Sequence, residues 1–179
     1  MATILPLSAI EPALTEALLD AAFGTDRRGR TAYCIRQGME WLPGLSFAAL
    51  DDEDYLVGTI QMWPVALTGE AGRAHPLLML GPVAVMPGRQ GEGFGKALMA
   101  SALGAIDPAA PLPQVLIGDL EYYGEWGFSA DRTGGWRCPG PWDPARLLLR
   151  SDGDDGLPRT GMLGPWLATG NEAARSDAL

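Results

Sequence analysis

Leu77–Met99 reads LLMLGPVAVMPGRQGEGFGKALM, and the order of its three parts decides the fold. Leu77–Met86 is nearly all apolar, as expected of a central strand covered on both faces. A glycine-rich turn follows Pro87. From Gly93 to Ile106 the apolar residues Phe94, Ala97, Leu98, Ala102, Ala105 and Ile106 predict one buried helix face, and Asp107-Pro108 stops the run. Within the turn, Gln90, Gly93 and Gly95 form Q-x-x-G-x-G. Glycines at a strand-to-helix junction leave backbone N–H groups unobstructed, and the helix adds the positive end of its dipole. That combination is an anion site, with phosphate the usual guest.

Working outward, Thr3–Leu7 reads as a short strand. Glu11-Pro12 opens a helix with Leu14, Ala17, Leu18, Ala21 and Ala22 on one face, ended by Gly24. Arg27–Trp41 reads as a second helix. Leu45–Leu50 and Tyr55–Trp63 read as strands of a hairpin joined by the acidic turn Asp51–Asp54. Gln114–Gly118 is another buried strand, Asp119–Trp126 a short helix stopped at Gly127, and Phe128 starts further strand sequence. This order predicts an α/β mixed fold, a central sheet flanked by helices. Residues 1–150 form the expected domain. Residues 151–179 form a C-terminal extension opened by the polar SDGDDGLPRTG, with GNEAARSDAL as a frayed tail and Met162, Leu163, Trp166 and Leu167 offering a docking face.

Composition narrows the function. The chain has 179 residues, enough for one domain with a proper core, and 47% of them are apolar. A net charge of −9 argues against a nucleic-acid partner, which calls for a basic stripe. No leader-like start and no long apolar run is present, so a cytoplasmic protein without a membrane partner is expected. Cys34 and Cys138 are too few and too far apart for a metal site or a disulfide framework.

With these residues in view, the chain resembles the GNAT family of N-acetyltransferases. The matching pieces are GPVAVMP, RQGEGFGKALM, VLIGD and YYGEWGF. Gln90, Gly93 and Gly95 meet the family's Q/R-x-x-G-x-G/A after its fourth strand; Tyr123, Gly127 and Phe128 meet its Y-x-x-x-G-F. It most resembles bacterial predicted acetyltransferases whose second motif reads G-D-x-E-Y-Y-G-x-x-G-F. The resemblance implies splayed fourth and fifth strands with acetyl-CoA between them. Its pantetheine arm would pair with backbone around Val83, Ala84 and Val85. Its pyrophosphate would sit on the N–H groups of Gln90–Lys96, with Arg89, Gln90, Gly91, Gly93, Phe94, Gly95 and Lys96 as the cofactor-binding set.

Acyl transfer from a thioester needs a neutral nucleophile, stabilisation of the oxyanion and a proton for the departing thiolate. The resemblance implies that Tyr123 supplies that proton; an interface aromatic at helical spacing is the other reading, and Tyr122 fits the register less well. Deprotonating an alkyl ammonium at pH 7 costs roughly 4.6 kcal/mol, so a base is useful. Some family members carry a glutamate on the fourth strand, but Leu78–Ala84 holds no ionisable group. Glu121, beside Tyr123 with Asp119, is the remaining candidate base, with helix capping as its alternative. His75, the only histidine, lies up to roughly 26 Å of strand from Val83 and reads as a surface turn residue. Trp63, Trp126, Trp136 and Trp142 fall near loops or strand ends, where rigid aromatics wall an acceptor pocket or simply pack.

The expected activity is acetyl transfer from acetyl-CoA to an amine of a small molecule or peptide, by direct attack in a ternary complex and without a metal. The alternatives are a non-catalytic acyl-CoA sensor or assembly domain, and an acyltransferase using another acyl-CoA. A homodimer is allowed but not specified.

Overall fold

The computed structural model describes residues 1–153 and 155–167, so the expected tail lies outside the described residues. Eight strands make one sheet: β1 (Thr3–Pro6), β2 (Phe47–Leu50), β3 (Leu56–Thr68), β4 (Ala74–Val85), β5 (Gln114–Ile117), β6 (Gly135–Arg137), β7 (Leu147–Arg150) and β8 (Thr160–Pro165). The main path runs β1-β2-β3-β4-β5-β7, with β8 paired to β3 and β6. The helices are α1 (Pro12–Phe23), α2 (Thr31–Ile35), α3 (Phe94–Gly104) and α4 (Leu120–Tyr123). This is the mixed α/β fold expected, a central sheet with helices on both faces.

Strand β3 runs five residues past the expected Trp63, through Pro64. Proline is tolerated there because its strand neighbour changes from β2, which ends opposite Leu56–Ile60, to β8, which starts opposite Val65. The part of the extension that follows Arg159 thus adds a strand to the sheet, and Leu163 is buried.

Two helices depart from expectation. In α1 the buried stripe is Thr15, Leu18 and Leu19, packed on β4 around Ala84, while Leu14 is 56% exposed. The true face is rotated because the helix meets a strand end rather than a broad sheet surface. The second helix shrinks to Thr31–Ile35, preceded by a 3-10 turn at Arg27–Gly29 and broken beyond by Gly38, at φ 77°. Helix α3 covers one sheet face with Phe94, Leu98, Met99 and Ala102 buried against Met62, Leu80, Leu116 and Leu148. Met99 takes the place expected of Ala105, which is exposed. The other face carries Leu77, Met79, Val115 and Leu147 under Ile35 of α2, Trp136 and Cys138. No described helix is long and apolar enough to cross a membrane.

Candidate active site

The site begins with a fault in the sheet. Parallel strands β4 and β5 pair only at Leu78–Gln114 and Met79–Val115. Beyond that point β4 stays with β3 and β5 stays with β7, so the two part company and Leu80–Val85 has no strand on its β5 side. A bulge sharpens the divergence. Between the pairs Ile60–Val83 and Met62–Leu80, β3 contributes Gln61 alone while β4 contributes Gly81 and Pro82. Gly81 sits at φ 123°, and its carbonyl accepts hydrogen bonds from Trp63 Nε1 (2.9 Å) and Arg36 Nη1 (3.1 Å).

At the upper end of β4 the chain turns into α3. Among the described residues no backbone N–H from Gln90 through Lys96 makes a well-formed hydrogen bond, the turn at Gln90–Gly91 closing only weakly. Gly91 and Gly93 have φ of 84° and 91°, and a Cβ on either would meet nothing within 4 Å. Poorly partnered donors beside the open faces of Gly91 and Gly93, at the start of an 11-residue helix, are what a pyrophosphate needs. Phe94 is buried and anchors the helix, while Lys96 is exposed in its first turn.

Arg89 is already engaged. Its guanidinium donates to Asp51 (2.8 Å) and Glu92 (2.7 Å) and lies over the Phe94 ring. Asp51 also accepts from the N–H groups of Glu53 and Tyr55, so the acidic hairpin turn is a buttress for the glycine-rich turn. Arg89 holds the Asp51 carboxyl below its usual range.

The second motif meets the first at Gly95, where a Cβ would lie 3.2 Å from Tyr122 Oη. Tyr123 lies across the end of β5, edge-on to Tyr122 (4.9 Å) and Phe128 (6.1 Å). Burial pushes its phenol up to about 12, with Tyr122 and Asp119 adding to the shift and Arg146 opposing it. Tyr123 lines a cleft of about 530 Å³ at the splay, together with Gly81–Val83, Leu116–Asp119, parts of α2 and residues 141–146. Val83 lines this cleft, whereas Ala84 points into the core beneath α1.

Glu121 is exposed and outside the cleft lining. The lining carboxylates are Asp119, which accepts from exposed Arg146 at 3.1 Å, and Asp143, which caps a 3-10 turn through Ala145 N–H. His75 is paired opposite Leu67 at the far end of β4, in a strand rather than a turn. Trp142 lines the cleft, Trp63 stacks on Arg36, and Trp136 is core. Burial raises Cys138 to about 11, and no described cluster of His, Cys, Asp and Glu could hold a metal ion.

Sequence reasoning missed the wall formed by Arg27, Tyr33 and Arg36. Arg27 is 2% exposed and donates to Asp20, Glu16 and Tyr33 Oη, which holds its guanidinium firmly charged. A signal was present: four of the 13 basic residues of an acidic chain lie between Arg27 and Arg36.

A splayed β4–β5 pair opening beside a glycine-rich helix start defines an acyl-CoA transferase fold, and comparison with known proteins makes the class specific. Residues 13–106 match the sequence model of the Acetyltransferase (GNAT) family, more than half of the chain, and the chain belongs to that family. Among solved structures it is similar to a GNAT family N-acetyltransferase (YhbS) from Escherichia coli in complex with CoA. The two share 23% identity over 92% of this chain and 88% of that one, with a TM-score of 0.67. It is also similar to a GNAT family acetyltransferase from Brucella melitensis in complex with acetyl-CoA, at 27% identity, 90% and 93% coverage and a TM-score of 0.62. No curated protein sequence matches it.

Proposed function

We propose that this protein transfers an acetyl group from acetyl-CoA to a primary amine of a small molecule or peptide, in a ternary complex and without an acyl-enzyme. The observation that carries the reading is the run of poorly partnered N–H groups from Gln90 to Lys96 beside the open edge of β4. Bound acetyl-CoA supplies an activated thioester and a thiolate leaving group. Those N–H groups would hold its pyrophosphate, and the unpaired backbone near Val83 and Val85 would align its pantetheine arm. Arg89, tied to Asp51 and Glu92, keeps the turn in shape more than it binds phosphate directly.

Tyr123 Oη holds its proton throughout the neutral range, because burial raises the phenol to about 12. Such a phenol is a weak acid. Its part is a hydrogen bond to the departing sulfur that strengthens as negative charge develops there. Cys138 is too buried and too weakly acidic to compete as a nucleophile.

The exposed setting of both cleft carboxylates favours the second reading, a non-catalytic acyl-CoA sensor. Isothermal titration of acetyl-CoA into wild type and Gly93→Glu, followed by thiol release over an amine panel, separates the readings. Micromolar binding lost in the variant, with turnover, supports the enzyme. Binding without turnover supports the sensor, and no binding by folded wild type sinks both.

A further inference from the structure

Among the described residues Arg36 is a buried cation that forms no ion pair. It is 5% exposed, and no carboxylate among the described residues lies within ion-pair distance of it. Of the acids that share its surroundings, Glu16 and Asp20 pair with Arg27, Glu16 also with Arg28, and Asp119 with Arg146, while Glu40 and Asp143 line the same cavities without pairing with Arg36. Its guanidinium carbon lies 4.1 Å from the ring centre of Tyr33 and 4.3 Å from that of Trp63. Those rings favour a cation and fix its orientation. Its one backbone acceptor is Gly81 O, at the bulge where β4 leaves β5.

Although buried, this side chain borders ligand space. Arg36 lines both the 530 Å³ cleft and a second cavity of about 600 Å³ that also reaches Gln61 and Trp63. The cleft carries four arginines against two aspartates, in a chain whose net charge is −9. A lone buried guanidinium is costly unless something anionic completes it. Burial pushes Arg36 down to about 10, with Arg27 adding to the shift and Tyr33 and, more weakly, Glu16 opposing it.

We propose that Arg36 binds a carboxylate on the acceptor, so the substrate class is a molecule carrying both an amine and a carboxylate, such as an amino acid. This rests on the acetyl-transfer reading above. A guanidinium flanked by rings presents its remaining N–H groups as a flat fork, and a carboxylate is the planar anion that matches a fork. Anchored next to Gly81, such an acceptor presents its amine toward Val83 and Tyr123, the cleft residues on either side of the splay. The same positive wall disfavours the ammonium form of that amine, which fits a cleft whose carboxylates among the described residues, Asp119 and Asp143, are exposed.

The test compares free L-amino acids with their primary amides as acceptors, following thiol release from acetyl-CoA. In parallel, calorimetry titrates CoA, and then N-acetyl amino acids and their amides into the CoA complex. Wild type is expected to favour at least one acid over its amide by tenfold or more in kcat/KM, taken for every comparison on the high-pH plateau where both amines are neutral. Arg36→Gln and Arg36→Lys are expected to collapse that ratio while still binding CoA. A purely structural role would lower acid and amide equally and leave the ratio unmoved, which overturns the proposal. Preference for the amides, or for O-phosphoethanolamine over every carboxylate, also overturns it. If the variants do not fold, the wild-type acid-to-amide ratio decides alone. Binding of CoA without any carboxylate preference leaves acetyl transfer standing and removes this inference. Failure to bind CoA removes acetyl transfer; N-acetyl amino acids titrated into the protein alone, against their amides, then decide the carboxylate site.

Discussion

A Cβ on Gly118 would lie 2.5 Å from Cε2 and 2.9 Å from Cδ2 of Tyr123, so the tyrosine ring occupies the space of the side chain that the end of β5 lacks. Gly118 is therefore a positioning residue for Tyr123. Gly118→Ala should displace the ring, and a misplacement of about 1 Å at a reacting group can lower the rate by roughly 100-fold. The expected result is a large fall in kcat with acetyl-CoA affinity changed less than about threefold, because the phosphate turn is untouched. Steady-state kinetics with calorimetry checks this; equal losses in both would show that Gly118 supports the whole domain rather than the tyrosine.

Tyr123→Phe removes the hydroxyl and little else, since the ring contacts with Tyr122 and Phe128 survive. Turnover should fall by about 100-fold or more, as for loss of one hydrogen-bond donor to charge that develops in the transition state. The raised phenol also has a stability consequence. Its folded-state value lies above the unfolded value near 10, so the folded chain retains the proton longer and stability declines as pH rises from about 10 to 12. Denaturant melts across that range should show a shallower decline in Tyr123→Phe than in wild type.

How much of this was legible beforehand follows the range of the interactions. The strand–turn–helix of Leu77–Met99 and the Gly127 stop are local, set by φ preferences and apolar periodicity, and both motifs read cleanly. The Gly95–Tyr122 and Gly118–Tyr123 approaches were half legible, because a motif names its residues without saying why a glycine is required. The Asp51–Arg89 pair and the packing of Trp63 on Arg36 join segments far apart in sequence, and no period or spacing encodes them. Arg27–Trp41 reads as one helix but is interrupted: a 3-10 turn at Arg27–Gly29 and Gly38 at φ 77° leave only Thr31–Ile35 helical.

Removing the hairpin buttress should loosen the phosphate turn. Asp51→Ala deletes the acceptor for Arg89 and for the Glu53 and Tyr55 N–H groups at once. Acetyl-CoA affinity should weaken by about threefold to tenfold while the melting temperature shifts little, since half-exposed ion pairs contribute only about 0–1 kcal/mol. Tighter binding in Asp51→Ala would show instead that Asp51 restrains Arg89 from the phosphates.

Among the described residues the cleft has no buried carboxylate, and that has a kinetic signature. Asp119 and Asp143 are both exposed, and Glu121 lies outside the lining. An acceptor that reaches the cleft without a dedicated base must already be neutral, so kcat/KM should rise tenfold per pH unit up to a limit set by the acceptor's own ammonium group. Two acceptors whose amines differ by about two pH units should then give profiles displaced by about the same amount. Glu121→Gln should overlay wild type for both, with kcat within about twofold. Profiles that share one break for both acceptors, and that move in Glu121→Gln, would identify Glu121 as the base through a rearranged or water-bridged path.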